Sequence, residues 1–154
     1  MKQILIKTLL AVLLVAGACP YAACKAPGKL PGRSIAVGQL PDTVRRFVAR
    51  HFTNLHQFTY RSDRSFYYVC DEAGGYYLFS AGGDIRGFRF CMRQPSRQIL
   101  DLLPGAAVAY IRESYPGYFL GAFLPEDGGF RAELFGADDR TLRFDGQGRF
   151  LPEE

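Results

Sequence analysis

The chain has 154 residues, a formal net charge of +4, 17 glycines and no tryptophan. This length suits one domain that buries an ordinary core without help from metals or disulfides. Loss of a leader that carries Lys2 and Lys7 leaves a charge of only +2, which is too small to argue for a nucleic-acid-binding protein.

The first residues predict a secretory leader. Residues 1–7 are basic, residues 8–15 (TLLAVLLV) are apolar, and small residues (Ala16-Gly17-Ala18) precede Cys19. A basic start, a short apolar run and an A-x-A end are typical of a signal peptide, and the run is too short for a permanent membrane span. We therefore predict a signal peptide over 1–18 and export to the periplasm or to the membrane surface of a bacterial envelope.

The cysteines leave several states open. The sequence Ala-Gly-Ala-Cys is similar to a bacterial lipobox, which would place a lipid on Cys19, but it also suits ordinary signal peptidase. An exported chain permits disulfides, yet the pairing of Cys24, Cys70 and Cys91 does not follow from their spacing. For Cys70 we expect a small buried hydrophobic residue.

The leader is followed by a segment rich in Pro, Gly and Ala. This composition predicts a flexible tether over 19–39, followed by one domain over 40–154. Within that domain the charges are uneven: residues 40–99 carry a net +4 and residues 100–154 a net −5. Such asymmetry bears on how the halves or a partner dock.

The domain contains one pattern twice. LPDTVRRFVARHFTN (40–54) and LPGAAVAYIRESYPG (103–117) each predict an amphipathic helix, and in the first Val44, Phe47, Val48 and Phe52 form the apolar stripe. Asp42 is the expected N-cap of the first helix, and Pro116-Gly117 ends the second. FSAGGDI (79–85) and FDGQGRF (144–150) then predict matching hairpins.

Strand-like runs fill the space between each helix and its hairpin. They are 55–61, 65–70 and 76–79 in the first copy, and 118–124, 130–135 and 140–144 in the second. We predict an α+β fold of two repeats, about 40–91 and 103–152, each a helix followed by a four-stranded antiparallel meander.

These motifs resemble the PepSY-like family of exported bacterial proteins, which are described as β-lactamase-inhibitor-like. The resemblance covers about 40–152 and is clearest in LLPGAAVAYIRESYPG and LRFDGQGRFLP. It implies an antiparallel sheet with helices packed on one face, and a role in binding or inhibiting other envelope proteins. It implies no catalytic residues.

Nothing in the sequence assembles a catalytic or metal site. No serine or cysteine stands beside a base and an orienting acid, although a Cys70/His56 nucleophile pair stays open as the least favoured alternative. The turn at Asp145 lacks the alternating ligands of a calcium loop. We therefore predict no enzyme activity, no metal and no cofactor.

The strand faces suggest a binding surface in the first copy. We assign Phe66, Tyr68, Cys70, Tyr77 and Phe79 to the face under the helices, and Tyr67, Val69, Tyr76 and Leu78 to the open face. An apolar and aromatic open face is typical of an interface, and Arg61, Arg64, Arg86 and Arg89 are candidates for a basic rim. We predict that Tyr67, Val69, Tyr76 and Leu78 bind a partner protein of the envelope.

Three alternatives accompany this prediction. In the first, the 20–39 segment covers the patch. In the second, our strand register is wrong by one residue, which would exchange the two faces. In the third, the patch is an edge or dimer contact. An alternative function is the binding of a small hydrophobic ligand or a glycan on the same aromatic face.

Overall fold

A computed structural model describes residues 29–52, 58–90 and 93–152 of the chain. These residues form an α+β fold around one nine-stranded open sheet, in which every strand is antiparallel to the next one in sequence. The strands are β1 (Arg33–Ile35), β2 (Thr59–Ser62), β3 (Phe66–Cys70), β4 (Tyr76–Ser80), β5 (Ile85–Arg89), β6 (Phe119–Glu126), β7 (Gly129–Phe135), β8 (Arg140–Phe144) and β9 (Phe150–Leu151). The helices are α1 (Asp42–His51), α2 (Arg97–Leu100) and α3 (Gly105–Ser114), with a 3-10 helix at Val37–Gln39.

The two long helices pack on the same face of the sheet. Val44 and Val48 of α1, and Ala107 and Ile111 of α3, lie in one core cluster with the inward side chains of the strands. Phe47 of α1 contacts the Phe79 ring edge-on, with centroids 5.0 Å apart. The apolar stripe predicted for the first helix is therefore the surface that α1 buries.

The start of α1 differs from the prediction. Pro41 occupies the N-cap position, and Asp42 is the first helical residue. Its carboxylate accepts a hydrogen bond from the Arg45 guanidinium, which holds the pKa of Asp42 below its usual range. Asp42 thus supports the first turn through its charge, next to the positive end of the helix dipole, and not as the cap.

The end of α3 follows the prediction. The backbone amide of Tyr115 donates to Ile111, and Gly117 takes a φ of +88°, a conformation that residues with a side chain rarely adopt. The stretch AYIRESYPG (109–117) is therefore a helix end and its stop.

The β4–β5 hairpin fixes the first helix against the sheet. Gly83 has a φ of +91°, and a Cβ placed on it would lie 2.0 Å from Oγ1 of Thr43. Glycine is required here because the turn passes directly against the first turn of α1.

The halves of the sheet join at β5 and β6. Phe88 lies opposite Phe123, Arg89 lies opposite Ala122, and the Phe90 amide donates to the Gly121 carbonyl at 2.7 Å. Along the chain, α1 precedes four strands and α3 precedes another four. The arrangement as two pseudo-symmetric repeats, each a helix followed by a four-stranded meander, stays a prediction.

The sheet begins earlier in the chain than residue 40. β1 lies within the segment for which the composition predicts a tether, and it pairs with β2 through Arg33↔Ser62, Ser34↔Arg61 and Ile35↔Tyr60. Residues 1–28, which include the predicted leader, lie outside the described residues.

Candidate interaction face

The sheet face opposite α1 and α3, which we call the open face, follows from the strand register. Side chains directly opposite each other on neighbouring antiparallel strands share a face. One row across the sheet runs Thr59, Cys70, Tyr76, Arg89, Ala122, Glu133, Thr141. In the next row, Arg61, Tyr68, Leu78 and Gly87 come from the first half, and Leu124, Arg131, Arg143 and Leu151 come from the second.

The first half of the open face carries a small apolar cluster, which we call the open-face patch. Its centre is Tyr68, Cys70 and Leu78, each less than 7% exposed. The partly buried side chains around this centre are Leu30, Phe66, Tyr76 and Leu124. The patch is therefore separate from the main core and lies on the side of the sheet that the helices leave open.

The structure corrects the predicted face of Tyr67 and Val69. Val69 is fully buried in the main core, and Tyr67 packs against that core from the helix side. Five residues (71–75) separate β3 from β4, which places Cys70 directly opposite Tyr76 and Val69 opposite Tyr77. The assignment of β3 was thus shifted by one residue, which exchanges the two faces of a strand.

Tyr76 and Leu78 do lie on the open face, as predicted. Phe66, Tyr68 and Cys70 join them there and were missed. Cys70 and Tyr76 flank the 71–75 turn, and the pairing of flanking residues across a hairpin was the signal that would have placed them on one face. In the second half, apolar and polar residues alternate along β7, and its apolar residues Phe130, Ala132 and Leu134 are buried in the main core.

Burial shifts the pKa values of the polar groups in the patch. It raises the pKa of the Cys70 thiol to about 11, against a weaker opposing effect of Arg61. It also raises the pKa of Tyr68, as does the hydrogen bond that the Tyr68 hydroxyl donates to Asp63. At neutral pH these groups are uncharged, and the buried Cys70 lacks the accessibility of a reactive thiol.

Ion pairs cross the second half of the open face. Glu133 accepts from Arg89 at 2.8 Å and from Arg131 at 2.7 Å. Glu126 lies 3.2 Å from Nε of Arg131 and 3.6 Å from Nε of Arg143. Arginines outnumber glutamates in this network, so the region next to the patch is electropositive.

A shallow depression of about 290 Å³ borders the patch. Phe66 and Arg86 line one side, and the β6–β7 turn lines the other. Of the arginines predicted as a rim, Arg61 and Arg89 lie on the open face, Arg86 lies at this depression, and Arg64 is exposed in the β2–β3 turn.

The N-terminal end of the described chain contacts the patch. Leu30 packs against the patch, and the Arg61 guanidinium donates from Nε to the Pro31 carbonyl at 2.7 Å. The structure therefore places Leu30, from the segment predicted as a tether, against the open-face patch.

The remaining predicted sites divide into two groups. Cys19, Cys24, His56 and Cys91 lie outside the described residues. Asp145 is engaged in its own turn, where Oδ1 accepts from the amides of Gln147 and Arg149, each at 2.9 Å. Within the described ranges, no group of three or more His, Cys, Asp or Glu residues is arranged to hold a metal ion.

The solved structures that are similar to this fold include three from Bacteroides species. One is named a "putative calcium-regulated periplasmic protein" of Bacteroides thetaiotaomicron; it has a TM-score of 0.60 and 18% identity over 78% of this chain and 94% of its own. Two are named as "putative" periplasmic proteins of Bacteroides vulgatus. The first of these, of unknown function, has a TM-score of 0.57, and the match covers 98% of its length. The second, from the DUF2874 family, has a TM-score of 0.61, and the match covers 94% of its length. Both are 19% identical to this chain over 78% of its residues.

At these identities the comparison establishes a shared fold and no shared activity. No family model matches the chain, and no curated protein matches it. All three neighbours are described as periplasmic. Among the described residues, none of the helices has the length and hydropathy needed to cross a membrane.

Proposed function

We propose that this chain is a non-catalytic protein-binding module of the bacterial envelope that acts through the open sheet face. The observation that carries the proposal is the open-face patch, which lies beside an arginine-rich ion-pair network on the face that α1 and α3 leave uncovered. Apolar and aromatic groups with charged neighbours are typical of protein interfaces.

The partner that fits this face is an envelope protein with an apolar contact region and acidic side chains around it. This face carries more arginines than glutamates: Arg61, Arg89, Arg131 and Arg143 compared with Glu126 and Glu133. The complementary surface of a partner is therefore acidic. We further propose that the partner is an envelope enzyme whose activity this chain inhibits or modulates. A PepSY-like relationship, a two-repeat arrangement and a lipid on Cys19 belong to the same proposal.

The test is retention of an envelope protein on the immobilised full chain, followed by binding of the purified candidate. Tyr76→Ser removes a half-buried ring from the open face, and Tyr67→Ser makes the same change on the helix face. Circular dichroism checks that both variants are folded. We expect Tyr76→Ser to weaken binding at least about tenfold, a loss of about 1.4 kcal/mol.

The Tyr67→Ser control decides the face. If the two folded variants weaken binding equally, or if neither does, the partner does not bind through the open face.

A further inference from the structure

The segment from Lys29 to Ile35 forms a strap at the edge of the open face. Leu30 packs on the open-face patch, and three residues later the chain enters β1 and pairs with β2. The strap therefore makes a side-chain contact on the sheet face and backbone contacts along the sheet edge.

Arg61 holds the strap between these two contacts. Its Nε donates to the Pro31 carbonyl at 2.7 Å, its Nη2 donates to the Gly32 carbonyl, and its Nη1 lies 3.1 Å from Oγ of Ser34. A guanidinium presents several donors in a rigid plane, so one side chain can engage successive carbonyls of an extended segment.

Gly32 brings the strap close to the neighbouring hairpin. Its φ is +66°, and a Cβ on this residue would lie 2.4 Å from the carbonyl oxygen of Ser62. The approach is thus specific to a residue without a side chain at this position.

The strap is nevertheless weakly attached compared with the central strands of the sheet. β1 has three residues, and among the described strands it lies at one edge of the sheet and pairs only with β2. Arg33 and Ser34 are exposed, and Leu30 is only half-buried. Edge segments with few buried contacts open at a small fraction of the free energy of global unfolding.

We propose that the strap occupies, within its own chain, a strand-addition site that the partner takes over by displacing it. The partner would then supply an extended segment of the same pattern: one apolar side chain on the open-face patch, two carbonyls for Arg61, and a strand along β2. In strand addition the backbone hydrogen bonds provide affinity and a side-chain pocket provides specificity, and both parts are present here. This inference rests on the proposed function, since it describes how access to the same face is controlled.

The strap competes with any partner because it is tethered. A covalently linked segment acts at an effective concentration in the millimolar range, so loosening it raises the apparent affinity for a segment supplied from outside. The probe for this competition is a fluorescein-labelled peptide, KLPGRSIA, which copies residues 29–36.

Two double variants of the full chain make a matched pair. Leu30→Asn with Gly32→Ala removes the side-chain contact and blocks the close approach at Ser62. Val37→Asn with Gly38→Ala makes similar changes at an exposed valine and at a glycine whose added Cβ would contact nothing.

Hydrogen exchange tests whether the strap opens by itself. We expect amides of residues 33–35 to exchange at least about tenfold faster in the Leu30/Gly32 variant than in the Val37/Gly38 variant, with β7 unchanged in both. Equal exchange at residues 33–35, or faster exchange at β7 as well, would show that no independent strap exists. If the double variant does not fold, Leu30→Asn alone carries the same comparison.

Fluorescence anisotropy then tests the strand-addition site. We expect KLPGRSIA to bind the Leu30/Gly32 variant at least about tenfold more tightly than the unmodified chain, and the altered peptide KNPARSIA to bind neither. Equal affinity of KLPGRSIA for both chains would overturn the inference. The peptide assay uses no envelope protein, so it is independent of the capture experiment. If the peptide fails to bind while Tyr76-dependent capture succeeds, only the strand-addition site is refuted. If the peptide binds while capture fails, only the proposed function is refuted.

Discussion

Replacing Val69 with alanine tests whether the side chain of Val69 lies on the helix side of the sheet or on the open face. Val69 is 0% exposed and sits between Tyr60 and Tyr77 in the strand register, on the helix side of the sheet. The substitution removes two methyl groups, worth about 1.6 kcal/mol at about 0.8 kcal/mol for each buried carbon. The cavity left in a close-packed core adds to this, so we expect the free energy of unfolding to fall by about 2 to 3 kcal/mol.

The chain supplies a control for the same chemical change. Val37 is 45% exposed, and Val37→Ala should alter stability by no more than about 0.5 kcal/mol. Urea unfolding followed by circular dichroism measures both variants, and similar m-values would show that only stability has changed.

Either of two results would contradict the burial of Val69 on the helix side of the sheet. One is a Val69→Ala protein as stable as Val37→Ala. The other is a fully stable Val69→Ala protein that no longer binds the partner, since that would return Val69 to the open face.

Two further predictions concern the open face. Burial that raises the pKa of Cys70 to about 11 favours the neutral thiol in the folded state, so maleimide labelling of the folded protein should be slow at pH 7 and still rise between pH 9 and 11. Mass spectrometry of the Cys70 peptide measures the rate, and a plateau at pH 9 would contradict the shift. Glu133→Gln should lower the free energy of unfolding by about 1 kcal/mol in low salt, because Arg89 and Arg131 lose their shared carboxylate. The loss should shrink in 1 M NaCl, where charges are screened; an effect that does not depend on salt would mean that packing and not charge is responsible.

The alkaline dependence of stability follows from the same shift. A thiol whose folded pKa is raised contributes its full stabilisation below the unfolded pKa, near 9, and loses it as the pH rises towards 11. Cys70→Ala should therefore reduce the loss of stability over that interval. Tyr68 and Tyr76 also have raised pKa values, so the substitution should not abolish the loss.

Local sequence patterns predicted most of the helices and strands. They also indicated which face of β7 is buried, but not which face of β3. The strands from β2 to β8 fall close to the expected runs, because glycine and aspartate turns mark their ends. In β7, apolar and polar residues alternate, so the inward face was evident from the sequence. In β3, the residues Phe66 to Cys70 are all apolar or aromatic, so alternation could not tell one face from the other.

Local sequence patterns did not predict the strap. Residues 29–35 have the composition of a linker, and three residues are too few for a strand pattern to emerge. Their order depends on Arg61, which is 30 residues away from Pro31 along the chain. A contact between residues so far apart in the chain produces no periodic pattern of apolar residues in either segment.

The sequence alone therefore determined the leader pattern, the amphipathic helices, the turns and the succession of short strands. Each of these depends on neighbouring residues, through backbone preference and the spacing of apolar side chains. The tertiary structure decided which face of β3 is covered, that Tyr68, Cys70 and Leu78 form a second apolar cluster, and that Leu30 lies upon it. These features depend on cross-strand register and on contacts between distant segments, which are set only when the whole sheet assembles.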